Sequence, residues 1–209
     1  MNKYKNLLEI VAGDQVANRY LSQAKKFLAD KVKRGEYPHV PDEWIDFVIN
    51  APNKYPKVDL LVEMIKAGVE RIPAKLWNAV ISDKDINQHD LYDVARAYIE
   101  AGLDVPSSLL QVLYHRSAPY YAKVMILLKK DIPRAIIDRI ARWDQSAYEV
   151  AYMLIKHDRP MPSEIVRAVA KNPEWSYRLV LRITRDLKLS EELCPQEIRE
   201  SAKQRQNSK

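Results

Sequence analysis

Cysteine is almost missing from this chain: Cys194 is the one thiol in 209 residues. That excludes an intramolecular disulfide framework and fits a reducing compartment, so a cytoplasmic protein is expected. Glycine is scarce too, with four in all, and no glycine-rich loop of the kind that cradles phosphate is present. No run of four or more β-branched residues alternates with polar ones, and the few glycines leave little material for hairpin turns, so little or no β-sheet is expected. Long apolar runs are also lacking. Stretches such as Val124 to Leu128 fall far short of the roughly 20 residues that cross a bilayer, and charges interrupt the first apolar run, so neither a membrane span nor a signal peptide is expected. The four histidines (His39, His89, His115 and His157) lie far apart with no paired ligand spacing, and Cys194 stands beside acidic residues that raise a thiol's pKa. No metal site, cofactor or catalytic nucleophile is expected.

Acidic residues run short in the second half. Residues 1–104 carry 15 Lys+Arg against 16 Asp+Glu, whereas residues 105–209 carry 19 against 12, so the net charge of +6 arises entirely after residue 104. Arginine follows the same skew, with 11 of 15 in the second half. Guanidinium groups suit bidentate contact with carboxylate or phosphate, which points to an acidic protein partner or a polyanion. The alternative is a solvated, solubilising face.

What is abundant is a proline cadence. An apolar residue followed by proline recurs at Val40-Pro41, Ile72-Pro73, Val105-Pro106, Ile132-Pro133 and Met161-Pro162, spaced 32, 33, 27 and 29 residues apart. Apolar residues follow each proline at three and four positions (Trp44-Ile45, Leu76-Trp77, Leu109-Leu110, Ile136-Ile137, Ile165-Val166). They follow again at seven and eight (Val48-Ile49, Val80-Ile81, Leu113-Tyr114, Ile140-Ala141, Val169-Ala170). This is one buried stripe on a short helix A, with proline in the first turn, where a missing N–H costs nothing. Turn residues then lead into a second periodic run, helix B, which Gly68 and Gly102 end in the first two units. A helix of about nine residues is too short to stand alone in water, so neighbouring hairpins must stack.

These residues predict an all-α protein: a right-handed α-solenoid of five to six helical hairpins. Residues 1–39 form its N-terminal helical cap, with a break at Gly13-Asp14; residues 40–199 form the repeats in the same domain; residues 200–209 form a basic disordered tail. The sixth unit starts at Leu189-Ser190, with Leu193 and Ile198 facing inward. The Ile-Pro starts and the phrases Ala170-Lys171-Asn172-Pro173 and Trp175-Ser176-Tyr177 resemble tandem helical-hairpin solenoids of the HEAT-like or leucine-rich-variant kind. The proline-started repeats with an Asn-Pro-x-x-Ser-Tyr turn also resemble those of uncharacterised phage-encoded proteins. The resemblance covers roughly residues 40–193 and implies a curved, ligand-binding surface. It carries over no catalytic residue.

The end of helix A places His115-Arg116, Arg142-Trp143 and Lys171-Asn172 in one column, a basic ridge interrupted by Trp143 and Trp175. Arg178, Arg182 and Arg185 form a second basic stripe, to which Arg167 and Lys171 are candidate extensions. Cations interleaved with aromatic rings bind an acidic peptide through an aromatic anchor, or bind phosphates while stacking bases. The expected function is a non-enzymatic binding or adaptor protein for a protein partner with an acidic or amphipathic segment. Sequence-nonspecific binding of DNA or RNA is the alternative. HEAT-like DNA glycosylases, which use an aspartate beside tryptophans, add a remote third through Trp143-Asp144 and Asp138. A homo-oligomer in which the ridge meets another copy is a further possibility.

Overall fold

The computed structural model describes residues 2–36 and 38–207, with side chains described from Gly13 onward. Among these residues the chain is all-α, with a short 3₁₀ turn at Glu191–Leu193 and no strand. In chain order the helices are α1 (Asn2–Lys33), α2 (Asp42–Ile49), α3 (Tyr55–Lys66), α4 (Ala74–Ile81), α5 (Gln88–Glu100) and α6 (Ser107–Arg116). They continue as α7 (Ala118–Leu127), α8 (Arg134–Ile140), α9 (Asp144–Lys156), α10 (Ser163–Ala170), α11 (Pro173–Arg185) and α12 (Gln196–Asn207).

The five prolines behave alike. Each immediately precedes an even-numbered helix, and its carbonyl accepts the first intrahelical bond: from Ile45 to Pro41 at 3.3 Å, Trp77 to Pro73 at 3.0 Å, and Leu110 to Pro106, Ile137 to Pro133 and Val166 to Pro162 at 3.1 Å. The proline is therefore the N-cap, one residue earlier than the expected first turn. Its ring holds φ near −57° while ψ stays extended, at 128° for Pro73 and 142° for Pro133, which is the non-helical geometry an N-cap requires.

The stripe after each proline is present and narrower than its sequence suggests. The seventh residue (Val48, Val80, Leu113, Ile140, Val169) is at most 1% exposed in all five units. The eighth is only partly covered. The third is buried in the later four units as Leu76, Leu109, Ile136 and Ile165. In the first unit the buried position moves to Ile45, because Trp44 packs edge-on to Phe27 of α1 at 5.6 Å and lies 6.4 Å from Tyr20.

The ends of the longer helices share a second device. After α3, the N–H of Val69 reaches the carbonyl of Met64 and that of Gly68 reaches Ile65, with Gly68 at φ 75°. The same crossed pair closes α5 around Gly102, α7 around Lys129 and α9 around Asp158. This Schellman arrangement satisfies carbonyls that the helix end leaves open.

Chain contacts divide the molecule into two compact units, Met1–Val112 and Leu113–Lys209. In the first, α1 packs on α2 and α3, α2 on α4, and α3 on both α4 and α5. In the second, each helix from α7 to α10 touches the next one or two along the chain, and α12 closes against α10 and α11. Short helices thus pack on the next short helix and long on the next long one, while adjacent short and long helices also pack on each other. The core of the second unit runs through Ile136, Ile140, Val150, Leu154, Ile165, Val169, Leu179 and Ile183 to Cys194 and Ile198. Cys194 is buried there, and desolvation pushes its thiol up to about 11.

Three expectations are corrected. The break at Gly13-Asp14 is absent and α1 runs through it. The pair serves a neighbour instead: a Cβ on Gly13 would come within 3.1 Å of the Pro52 ring, and the Asp14 carboxylate accepts the N–H of Asn53 at 2.9 Å. Glycine in a helix costs about 1 kcal/mol relative to alanine, and here it permits the close approach of Pro52. At the other end, the tail expected to be disordered from residue 200 is helical through Asn207, while residues 208 and 209 lie outside the described residues. Ile198, Ser201 and Ala202 make a small inward face, the Ser201 hydroxyl donates to the Ala170 carbonyl at 2.8 Å, and Arg205 pairs with Glu174 at 2.6 Å. Leu193 is the third correction. It is 52% exposed, and Cys194 takes the core position assigned to it.

Candidate binding surface

All ten residues singled out as candidates fall in the second unit, and the structure separates them into two groups by what already occupies their charges. Arg178 pairs with Glu174 at 2.8 Å and lies over the Trp175 ring at 5.0 Å. Arg182 lies 3.9 Å over the Tyr152 ring, pairs with Asp186 at 3.4 Å and donates to the Tyr148 hydroxyl at 3.5 Å, a bond that favours its charged form. Trp175 packs on Tyr148 with ring centroids 4.9 Å apart. Arg167 shares Glu164 with Arg134, at 3.6 and 2.7 Å, and lines an open groove between α10 and α12. These cations brace the α9, α10 and α11 faces. Of the stripe on α11, Arg185 alone lacks an ion pair or side-chain hydrogen bond among the described residues.

Glu174 is the hub of this braced set. It holds Arg205 of α12 at 2.6 Å and Arg178 of its own helix, and these two cations, Arg205 foremost, keep its carboxyl below the ordinary range. A carboxylate with a depressed folded-state pKa contributes stability that is present above its unfolded value and is lost as pH falls through the folded one. Acidification below the ordinary glutamate value of about 4.3 should therefore loosen α12 from α11. The check is the Arg205 Nε–H resonance by NMR. It should move as acid protonates the Glu174 carboxyl in the native chain, and a resonance at neutral pH left unchanged by Glu174→Gln would contradict the tie.

The second group lies in the turns between short and long helices. Arg139 of α8 donates to the carbonyls of Tyr114 at 2.6 Å and His115 at 3.3 Å, pinning the end of α6. Asn172 caps α11 by accepting the Glu174 N–H at 3.1 Å, and its amide donates to the Asp144 carboxylate at 2.6 Å. That bond joins the turn bearing Arg142-Trp143 to the turn bearing Lys171-Asn172. The column read from the sequence is thus a physical edge in its last two members. Arg142 and Lys171 are exposed, and neither holds an ion pair or side-chain hydrogen bond among the described residues. Trp143 is 70% exposed, the most exposed large apolar residue described. His115 is exposed and sits edge-on to Tyr114, and Arg116 is half-buried.

The two carboxylates named for glycosylase-like chemistry are occupied. Asp144 accepts from Asn172 and from the Gln145 N–H, and Asp138 pairs with Arg134 at 3.1 Å. The i+4 spacing of Glu174 and Arg178 makes their pair legible in the sequence, whereas Arg139, Asn172 and the tie from Glu174 to Arg205 were missed as fasteners of this region. The cap on α11 was readable from Asn172-Pro173, since asparagine before a proline-started helix is an N-cap signal. Tyr114, a partner of Arg139, and Arg205, the second partner of Glu174, lie 25 and 31 residues away, beyond any local pattern. Among the described residues, no helix is long and apolar enough to cross a membrane, and no cluster of His, Cys, Asp and Glu is arranged to hold a metal ion.

The chain matches no protein-family model, no curated protein and no solved structure. Its function has to be argued from the surface itself.

Proposed function

We propose that the stacked hairpins are turns of an α-solenoid and that the protein is a binding module rather than an enzyme. Its ligand is a protein segment that is acidic and carries an apolar anchor. The reading rests on one observation: Trp143 stands 70% exposed between two cations, Arg142 and Lys171, that no carboxylate in the described chain neutralises. An indole left in water at a rigid turn loses little conformational freedom on binding, which is why such residues act as anchors. The flanking cations reward carboxylates on the partner. Phosphate-backbone binding along α11 is less favoured, because Arg178 and Arg182 already hold acidic and aromatic neighbours.

Fluorescence anisotropy with a labelled peptide of alternating Glu and Leu tests this. Trp143→Ala should weaken binding at least tenfold and Arg142→Glu with Lys171→Glu by a similar factor, whereas Arg178→Ala should change it less than threefold. Equal affinity for the native chain and Trp143→Ala would reject the reading. So would tighter binding of a single-stranded oligonucleotide whose log affinity falls steeply with log salt.

A further inference from the structure

A cleft in the first unit has the complementary character. It lies between α1 and α2, holds about 570 Å³, and is lined by Gly13, Val16, Glu43, Asp46, Phe47 and Ala51. That volume falls in the range of sites that enclose a compact organic group, roughly 300–1,000 Å³. Its apolar walls are not covered: Val16 is 43% and Phe47 40% exposed, although Phe47 stacks flat on Tyr20 at 4.3 Å and is held rigid. Glycine at position 13 lets the Pro52 ring pack directly on the α1 backbone at the edge of the cleft. The rim is acidic. Among the described residues Glu43 has no ion pair, while Asp46 and its neighbour Asp42 share Lys75, at 2.8 and 3.3 Å. Among the described residues, Glu43 and Asp46 on the rim and Asp42 beside it stand against one ammonium, a surplus of negative charge.

We infer that the Trp143 turn of one copy of this chain docks in the α1/α2 cleft of a second copy, the indole entering between Val16 and Phe47 while Arg142 and Lys171 face Glu43 and Asp46. This deepens the preceding proposal and rests on it, because it names the acidic, apolar partner of the same surface. The match is one of opposite kinds at each level: projecting indole to apolar hollow, unpaired cations to surplus carboxylates. The two faces belong to different units of the sequence, so the contact is heterologous. Each copy offers one knob and one cleft, so such contacts close into a dimer or ring where the geometry permits and otherwise extend into a chain. Because its charged part lies at the rim, salt should weaken it.

Sedimentation velocity over a range of concentrations and at 50 and 500 mM NaCl tests the inference with the full-length chain. The native protein should gain mass above the monomer at low salt and lose it at high salt. A knob variant, Trp143→Ala with Lys171→Glu, and a cleft variant, Val16→Lys with Glu43→Lys, change exposed positions and should each be monomeric, with native helicity by circular dichroism. Mixed together, the two variants should form dimers and nothing larger, because only one intact knob and one intact cleft remain in the pair. A native chain that stays monomeric at millimolar concentration overturns the inference, as does association that survives both variants or variants that fail to complement. If the native chain stays monomeric yet the Glu-Leu peptide still binds through Trp143, the inference falls and the binding surface stands. If both assays are negative, both fall.

Discussion

Ile136→Ala is expected to destabilise the second unit by about 2–5 kcal/mol, the usual cost of truncating a fully buried aliphatic side chain. Ile136 is wholly buried and belongs to the cluster that includes Ile140, Ala147, Val150, Ile165 and Val169. Its removal deletes apolar contact and leaves a void that α8, only seven residues long, can close by shifting only if its neighbours on α7, α9 and α10 move with it. Folded domains are stable by only about 5–15 kcal/mol in total, so a large share of the margin disappears. Urea denaturation followed by far-ultraviolet circular dichroism measures the effect. The neighbouring Ile137→Ala is the control: it is only partly buried and packs on the cluster from outside, so its cost should be less than half as large. Equal shifts in midpoint for the two would show that the stripe has been assigned to the wrong register.

Asn172→Leu carries the second large effect. One side chain here performs two tasks on opposite edges of its amide. The oxygen accepts the N–H of Glu174 at the start of α11, worth about 1 kcal/mol as an N-cap. The nitrogen donates to Asp144, and a hydrogen bond to a charged group contributes about 1.5–3 kcal/mol. Leucine abolishes both and leaves one oxygen of the partly buried Asp144 carboxylate without its donor, the other keeping the Gln145 N–H, so a loss of about 2–4 kcal/mol is expected. Asn172→Ser separates the tasks: serine can cap but cannot reach Asp144 as a donor, and it should fall between the native chain and the leucine variant. Thermal melts of the three proteins provide the ranking. A leucine variant within 0.5 kcal/mol of native would mean that the bond between the two turns does not hold them.

Much of the fold was legible because it is repeated. A residue seven after each proline recurs five times as Val, Leu or Ile, and a pattern read five times over resists the ambiguity of any single short apolar run. The glycine stops at Gly68 and Gly102 were equally plain, because a left-handed residue at a helix end is written in the one amino acid that adopts it freely. Elsewhere the sequence misled for physical reasons. Gly13-Asp14 has the local chemistry of a helix break, but its selection reflects the approach of Pro52 and Asn53 from another segment. The residues after Glu200 look unable to pack because Ala202 is their single apolar member, yet the Ser201 hydroxyl buries by donating to a carbonyl, which composition does not reveal. The basic ridge was found as a column, and its division into braced and unbraced cations was not. Whether an arginine is free depends on a carboxylate or ring placed three or four residues away on its helix, or one hairpin removed, and only the second kind of partner needs the structure. Arg205 and Glu174 are of that kind.

The helix ends of the two units look interchangeable in their hydrogen bonds, but they differ in the strain they carry. Gly35, Gly68 and Gly102 take positive φ in the first unit, whereas Lys129, Asp158 and Lys188 take φ of 56°, 50° and 52° in the second. A side chain with a Cβ sits in that region at a cost of roughly 1–2 kcal/mol. Three such residues mean that the half of the chain bearing the exposed tryptophan is held together against a standing internal load that the other half was spared. Its margin against unfolding is smaller than its well-filled core suggests.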